Sequence, residues 1–452
     1  MSGTEQAKQP TLGMRMAEDA QRPVEGAFAT RSSFDMGVED LPVERYTSRH
    51  FHEREMQSLW STVWQMACHE GDIPEVGDYI TYEIGNRSFI VVRSGVEEIK
   101  AYPNACLHRA MRLVKGQGKA GAFTCPFHGW SWELDGCKRR ITEDWDFPQT
   151  CERNMNLPEA KVGRWGGFVF INPDPDNAEP FDDWIGVLPD HFSRLPLEDF
   201  RVGVHVARTV PGNWKVAMEA FIESYHVMPT HPQSVPVSEY AETQYDIFDR
   251  NVSRLATVSV AQASGVTLRM TQQEFADYAA KGTGREPIQV PEGMTYRSAL
   301  ADQRRQAAAA AMGKSLDHLN DVELLDAIEY FLFPNFMPWY GMGLPIVYRF
   351  RPDRDRHDSC IMEVYVMTPR NLSEPMPKAP ELIKLPDDRP FVDCAALGRL
   401  APIFDQDYEN IEGVWAGLQS TVKKGLVLAK YQEARIRHYH RRIDDFINAQ
   451  EK

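Results

Sequence analysis

The spacing of apolar and polar positions changes character twice along this chain. Over "ERYTSRHFHEREMQSLWSTVWQMA" (44–67), Phe51, Met56, Leu59 and Trp60 recur at helical intervals, which predicts a helical stretch. From Tyr79 the period shortens. "YITYEI", "SFIVVRS" and "EIKAYPN" are β-branched and aromatic runs separated by Gly or Asn turns, the pattern of strands, and "GFVFINPDPD" (167–176) closes this region. The run "PDPDNAEPFDDW" reads as a linker. A second mixed region follows. "RVGVHVARTV" predicts a strand, and "NWKVAMEAFIESYHVMPTHP" a helix as far as Pro229. Residues 265–330 read as mostly helical and polar, including "RQAAAAAM" and "DVELLDAIEYF". Strands return in "YRFRP" and "SCIMEVYVMTP". The last fifty residues read as helical, with Ile436, Tyr439, Ile443 and Phe446 forming one apolar stripe. There is no internal repeat.

This pattern divides the chain into a mobile arm (1–40), a strand-rich unit with a leading helix (41–175), a linker (176–200) and a second unit (201–452). A length of 452 residues also exceeds what one ordinary core supports. The net charge of −15 argues against a nucleic-acid partner, which would need clustered Lys and Arg. No stretch approaches membrane-spanning length, and the first residues lack the apolar core of a signal peptide. Seven scattered cysteines make a disulfide framework a poor expectation, and a reducing cytoplasm fits them best.

Two short motifs carry the chemistry. "CLHRAMRL" offers Cys106 and His108; "CPFHGWSW" offers Cys125 and His128. Two thiolates and two imidazoles suit a structural zinc, or a two-iron cluster with sulfur on one iron and nitrogen on the other. A zinc module usually needs its metal to fold, whereas these ligands fall at loop tips inside a strand-rich unit. Pro126 fixes the turn after Cys125, and Gly129 lets the backbone pass close to a cluster. Loop N–H groups can then donate to bridging sulfides. The chemistry favours the cluster.

On these residues the chain resembles the Rieske non-haem iron ring-hydroxylating oxygenases, large (alpha) subunit. The likeness runs upstream through "WQMACHEGDIPEVGDYITYEIGNRSFIVVRS" and covers most of the chain. It departs at Ala110, where the family commonly has Gly after His-Arg. The extra cysteine pair of cytochrome-complex Rieske proteins is missing, since Cys137 lies nine residues beyond His128. The resemblance implies an α+β fold: an N-terminal all-β Rieske [2Fe–2S] domain, then a catalytic domain whose antiparallel sheet wraps around helices in a helix-grip, START-like manner.

A second constellation lies in "EAFIESYHVMPTHP", which holds His226 and His231. Five residues apart on an ideal helix they would point about 140° apart. Pro229 is expected to break the helix after His226 and let His231 bend back. Two His and one carboxylate on one face suit a mononuclear Fe(II) with open positions. The carboxylate would come from "PIFDQDYENIEGVW"; the resemblance assigns Asp407, with Asp405 as the fallback. By the same resemblance Glu223, where the family usually has Asp, would bridge this iron's histidine to a Rieske histidine of a neighbouring subunit. That implies a homotrimer, with a small β subunit possible.

The implied activity is that of an oxygenase component, using O2 to hydroxylate an aromatic or other apolar substrate, with ring cis-dihydroxylation favoured. Monooxygenation or oxidative demethylation would use the same ligands, and a bare electron carrier is the rival of another class. No G-x-G-x-x-G follows a strand, so electrons from NAD(P)H must arrive through a separate reductase or ferredoxin. Arg109, Arg112, Lys115 and Lys119 around the cluster loops would steer such an acidic donor. "EYFLFPNFMPWYGMGLPIVYRF" (329–350) is either pocket lining or sheet core, core being the commoner outcome.

Overall fold

The structure, a computed structural model, describes residues 26–28, 31–261, 270–283 and 286–449. The leading helical stretch runs over Arg49–Arg54 and continues as a π-helical turn, Glu55–Leu59. It stops earlier than its apolar spacing predicts, because Gln65–His69 is a fully buried strand, β1. A continuous buried run carries no period to separate strand from helix. The three expected strands form as β2 (Asp78–Ile84), β3 (Arg87–Arg93) and β4 (Ile99–Pro103), joined at the edge by β5 (Gln117–Lys119) in the order β4-β3-β2-β5. A second small sheet, β6 (Phe123–Thr124), β7 (Ser131–Trp132) and β8 (Lys138–Arg140), holds the second Cys/His loop. A third sheet pairs β9 (Lys161–Trp165) and β10 (Phe168–Asn172) with β1.

The second unit is built on one eight-stranded sheet. Its strands are β11 (Phe200–Pro211), β12 (Ser238–Ile247), β13 (Val252–Ser259), β14 (Ala327–Leu332), β15 (Phe336–Tyr340), β16 (Ile346–Pro352), β17 (Ser359–Pro369) and β18 (Ile383–Leu385). Their order is β12-β13-β14-β15-β16-β17-β11-β18, antiparallel throughout except for the short β11–β18 pair. The strand β14 corrects the helical reading of "DAIEYF": the helix before it ends at Leu325, and the chain turns straight into the sheet. Four helices matter for the site: α1 (Trp214–Glu219), α2 (Val227–Thr230), α3 (Ala401–Ser420) and α4 (Ala434–Ala449). The last fifty residues are thus two helices with a 421–433 segment between them, regular only where Gly425–Leu426 pairs with Leu41–Pro42.

The main core crosses the boundary drawn from sequence. Trp60, Met66, Phe168 and Ile171 belong to the same buried cluster as Trp214, Phe336 and Tyr365. Arg349 of β16 donates to the Met66 carbonyl at 3.1 Å, and Glu363 holds the same guanidinium at 2.5 and 2.8 Å. A separate small core, including Val92, Tyr102, Phe123 and Trp132, lies under the two Cys/His loops. The stretch expected to be a linker contains two short helices and buries Trp184, Leu188 and Phe192. Phe28, on the expected mobile arm, is 1% exposed and packs with its ring centroid 4.9 Å from that of Tyr340. Most of that arm, residues 1–25, lies outside the described residues.

Candidate functional site: two metal-ligand clusters

The two Cys/His loops share one construction. The Cys106 N–H donates to the Met111 carbonyl and the Ala110 N–H returns to the Cys106 carbonyl, at 2.8 and 2.9 Å. In the second loop the Cys125 N–H donates to Trp130 and Gly129 returns to Cys125, at 2.7 and 3.0 Å. Both returning residues are left-handed: Ala110 has φ 59° and Gly129 φ 75°. Gly129 accepts that conformation freely; Ala110 carries a Cβ there at a cost of about 1–2 kcal/mol. The departure seen in sequence therefore falls where glycine is conformationally favoured.

The loops bring the four side chains together. Both thiols are buried, and the His108 N–H lies 3.5 Å from the Cys106 sulfur. The imidazoles of His108 and His128 approach to 4.8 Å between centroids. Trp130 stacks on His108 at 4.9 Å and Phe147 meets its edge at 5.5 Å, so aromatic packing orients this ring. Burial, and after it the Cys125 thiol, pushes Cys106 up, while desolvation and then His128 push His108 down. Two buried thiols beside two adjacent imidazoles form a donor set that an iron–sulfur centre satisfies. All seven cysteines are free, as their scatter implies.

The second cluster is assembled from two segments far apart in sequence, the two ends of α2 and the middle of α3. Asn213 caps α1 by accepting from the Lys215 N–H at 3.2 Å. α1 ends after Glu219, and Phe221–His226 is irregular; Tyr245 and Thr243 pin this loop through Ser224 at 2.8 and 2.7 Å. The break thus precedes His226, and Pro229 sits inside α2, correcting the expected hinge. Proline is tolerated there because a first-turn N–H has no helical partner to lose. The consequence is the expected one: His226 and His231 flank α2, with ring centroids 5.3 Å apart.

Asp407 of α3 completes the group. Its Oδ1 lies 2.9 Å from His231 Nε2 and 3.7 Å from His226 Nε2, and one ligand atom from each residue falls within 4.8 Å of the others. Asp405 points elsewhere, accepting from the Phe391 and Val392 N–H groups at 2.6 and 3.0 Å. Glu223 Oε1 lies 2.6 Å from His226 Nδ1, and Gln406 Oε1 lies 2.8 Å from His231 Nδ1. Each acceptor can fix its ring as the Nδ1–H tautomer, leaving the Nε2 lone pair toward Asp407. Buried Asp407 Oδ1 has no donor. Burial would lower His226, but the hydrogen bond and charge of Glu223, with Asp407, hold it above its ordinary value. Three converging Lewis bases call for a cation.

Sequence reasoning missed Gln406, which nothing but adjacency to Asp407 marks. It also missed Asn410, whose side chain donates to Thr230 at 2.7 Å and ties α3 to α2. The 329–350 stretch divides between its two alternatives. Tyr330 and Tyr340 pack as core, 5.1 and 5.2 Å from Phe192. Tyr348 turns toward the ligand cluster, 5.0 Å from Phe221 and 6.0 Å from Phe404 of α3.

Comparison with known proteins agrees with this division. A Rieske [2Fe–2S] domain model matches residues 63–145, and the ring hydroxylating alpha subunit catalytic-domain model matches residues 197–449. The carnitine monooxygenase oxygenase subunit of Acinetobacter pittii is 31% identical over 215 residues, 45% of this chain and 57% of that protein. The anthranilate 1,2-dioxygenase large subunit of Acinetobacter baylyi is 30% identical over 213 residues, 46% of this chain and 45% of its own. Matches therefore span about half the length of these curated relatives. In fold, the chain is similar to a quaternary ammonium Rieske monooxygenase solved with L-carnitine. The TM-score is 0.63 and identity 19%, covering 91% of this chain and 96% of the other. It is also similar to a naphthalene 1,2-dioxygenase, at TM-score 0.62 and 17% identity over 92% and 93% of the two chains. A Rieske domain implies a [2Fe–2S] cluster and the catalytic domain a mononuclear iron, the two groups these donor sets fit. With both domain models matched in order and the second spanning more than half its length, the chain belongs to the family of Rieske oxygenase alpha subunits.

Proposed function

We propose that this chain is the oxygenase component of a multicomponent Rieske non-haem iron system, hydroxylating a small organic substrate with O2 and externally supplied electrons. The observation that carries it is the convergence of His226, His231 and Asp407 in a chain that also carries the paired Cys/His loops. An electron carrier would have no use for the triad. Cys106 and Cys125 would hold one cluster iron and His108 and His128 the other; the triad would hold the mononuclear iron. When bound, the cluster supplies single electrons and the mononuclear iron the place where dioxygen is activated.

The remaining steps belong to the protein. Three ligands on one side leave positions open for a second reactant. Glu223 and Gln406 keep both imidazoles in the ligating tautomer. The aromatic wall of Phe221, Tyr348 and Phe404 excludes water and keeps the substrate beside the triad.

Electrons would pass between chains in a head-to-tail homotrimer, with Glu223 as the bridge. Exposed apolar groups on both ends support such docking: Phe127 on a cluster loop is 56% exposed, and Tyr225 beside the triad 58%. Electrons would enter from a separate reductase or ferredoxin fed by NAD(P)H. Of the four cations expected to steer it, Arg112 pairs with Glu83 at 3.3 Å and Lys119 pairs with Glu75. Arg109, stacked 4.7 Å over Phe127, and Lys115 are the better candidates. Rates with the native donor should fall as ionic strength rises; flat rates would discard the steering.

A second reading, monooxygenation or oxidative demethylation of a quaternary ammonium compound, is favoured by the acidic side chain of Glu329 near the triad. It matches what the carnitine monooxygenase relative is named for. The deciding experiment measures substrate-dependent O2 uptake with a matched reductase, with products analysed. The His226→Ala/His231→Ala variant should lose uptake while keeping the cluster spectrum. Uptake that survives this change refutes the proposal.

A further inference from the structure

Three side chains on the sheet near the triad each have a polar atom without a hydrogen-bond partner. Glu329 on β14 is fully buried; Arg435 of α4 holds its Oε1 at 3.0 Å, while Oε2 accepts no hydrogen bond. Trp339 stands directly opposite Glu329 on β15, and its indole N–H is also without an acceptor. Tyr348 on β16 is 4% exposed, with its ring 6.2 Å from Trp339. No hydrogen bond to its hydroxyl occurs among the described residues. Burial, then Asp407, then Glu329 push this phenol up, which puts it within electrostatic reach of both carboxylates. The three residues therefore lie on the face of the sheet turned toward the triad.

This arrangement suits an apolar substrate poorly. A buried carboxylate oxygen without a donor costs free energy, and a hydrocarbon beside it offsets none of that cost. Arg435 compensates one edge only; its other nitrogens are spent on Ser253 and the Ile222 carbonyl, both at 3.0 Å. Aromatic ring faces attract positive charge, most strongly when water is excluded. A cationic nitrogen would offset the unpaired oxygen and gain from the rings, whereas a neutral group of the same shape would gain neither. Burial holds the Glu329 carboxyl at about 7, Arg435 opposing, so a nearby cation would favour its ionised form.

We propose that Glu329, Trp339 and Tyr348 form a subsite for a positively charged nitrogen of the substrate, beside the iron triad. The subsite rests on the oxygenase reading and narrows it: the reacting carbon belongs to an organic ammonium compound, not to a plain aromatic hydrocarbon.

The test measures binding, not turnover. Phenyltrimethylammonium and tert-butylbenzene, alike in shape and different in charge, are titrated into the iron-loaded protein by calorimetry. The cation should bind about tenfold more tightly. Glu329→Gln should bring the two within about twofold, leaving the neutral ligand's affinity unchanged. Because Glu329→Gln also disturbs Arg435, Trp339→Leu serves as the second variant, and each counts only if the cluster absorbance is intact. Equal binding in the unmodified protein, no binding of either ligand, or a preference that survives in a folded variant overturns the subsite. Oxygen uptake with some other substrate would persist in those cases. Loss of the oxygenase reading instead appears as uptake that the triad variant leaves unchanged.

Discussion

The two donor sets are held in opposite ways. Around the cluster loops, His128 is exposed, Phe127 stands out beside it, and His108 is oriented by Trp130 and Phe147. Among the described residues, neither imidazole there accepts or donates a side-chain hydrogen bond. At the triad, His231 and Asp407 are buried, and each histidine has its own acceptor, Glu223 or Gln406. On the proposed function, the difference follows from the tasks. A relay must be approached by another protein, so its ligands sit at loop tips on rigid hairpins. A centre handling dioxygen must fix the orientation of each ligand and keep water out, so it is built inside, from two helical segments cross-tied by hydrogen bonds.

Breaking either side should have separable effects. The largest is expected from Cys106→Ser, which should abolish the cluster signal and all turnover while mononuclear iron remains; iron lost from both sites would mean the two are not independent. Next comes Glu223→Gln. It removes the carboxylate that orients His226 and should cost about 10- to 100-fold in activity or iron affinity. An effect on electron delivery alone, with iron retention unchanged, would sharpen its role to the bridge.

Stability should respond to acid through residues outside both sites. Burial holds His52, His69, His191 and His438 neutral in the fold, each with a pKa of about 4 against the ordinary 6.5. The unfolded chain takes up those protons first, so stability present above pH 6.5 is lost as the pH falls toward 4. The melting temperature should drop across that window; a flat profile would contradict the burial of these rings. The smallest effect is expected at Ala110→Gly, which relieves the left-handed alanine but loosens the unfolded chain. The net gain should be at most about 1 kcal/mol, read as slower heat loss of cluster absorbance. A faster loss would show that the methyl supports the loop.

The same contrast explains what the sequence could and could not disclose. Cys106, His108, Cys125 and His128 lie close together in one strand-and-turn region, so spacing alone exposed them. Gln406 reaches its histidine from 175 positions away, and no local signal marks that contact. Asp407 was legible only through the resemblance. His226 and His231 were legible as a pair, but the hinge was assigned to Pro229 when the break lies in the Phe221–His226 loop. Helix–strand errors fell at Gln65–Ala67 and Ala327–Phe331, where residues buried on both faces erase periodicity. Glu329 is one acid in an aromatic run, and what sets it apart is its cross-strand neighbour Trp339, which no local signal announces.

The most direct measurement is the iron and acid-labile sulfide content of the purified chain, alongside the His226→Ala/His231→Ala variant. About three irons and two sulfides per chain are expected from one [2Fe–2S] cluster plus one iron, with the variant losing a single iron and no sulfide. A chain without sulfide, or a variant whose iron content is unchanged, would contradict the two-centre account.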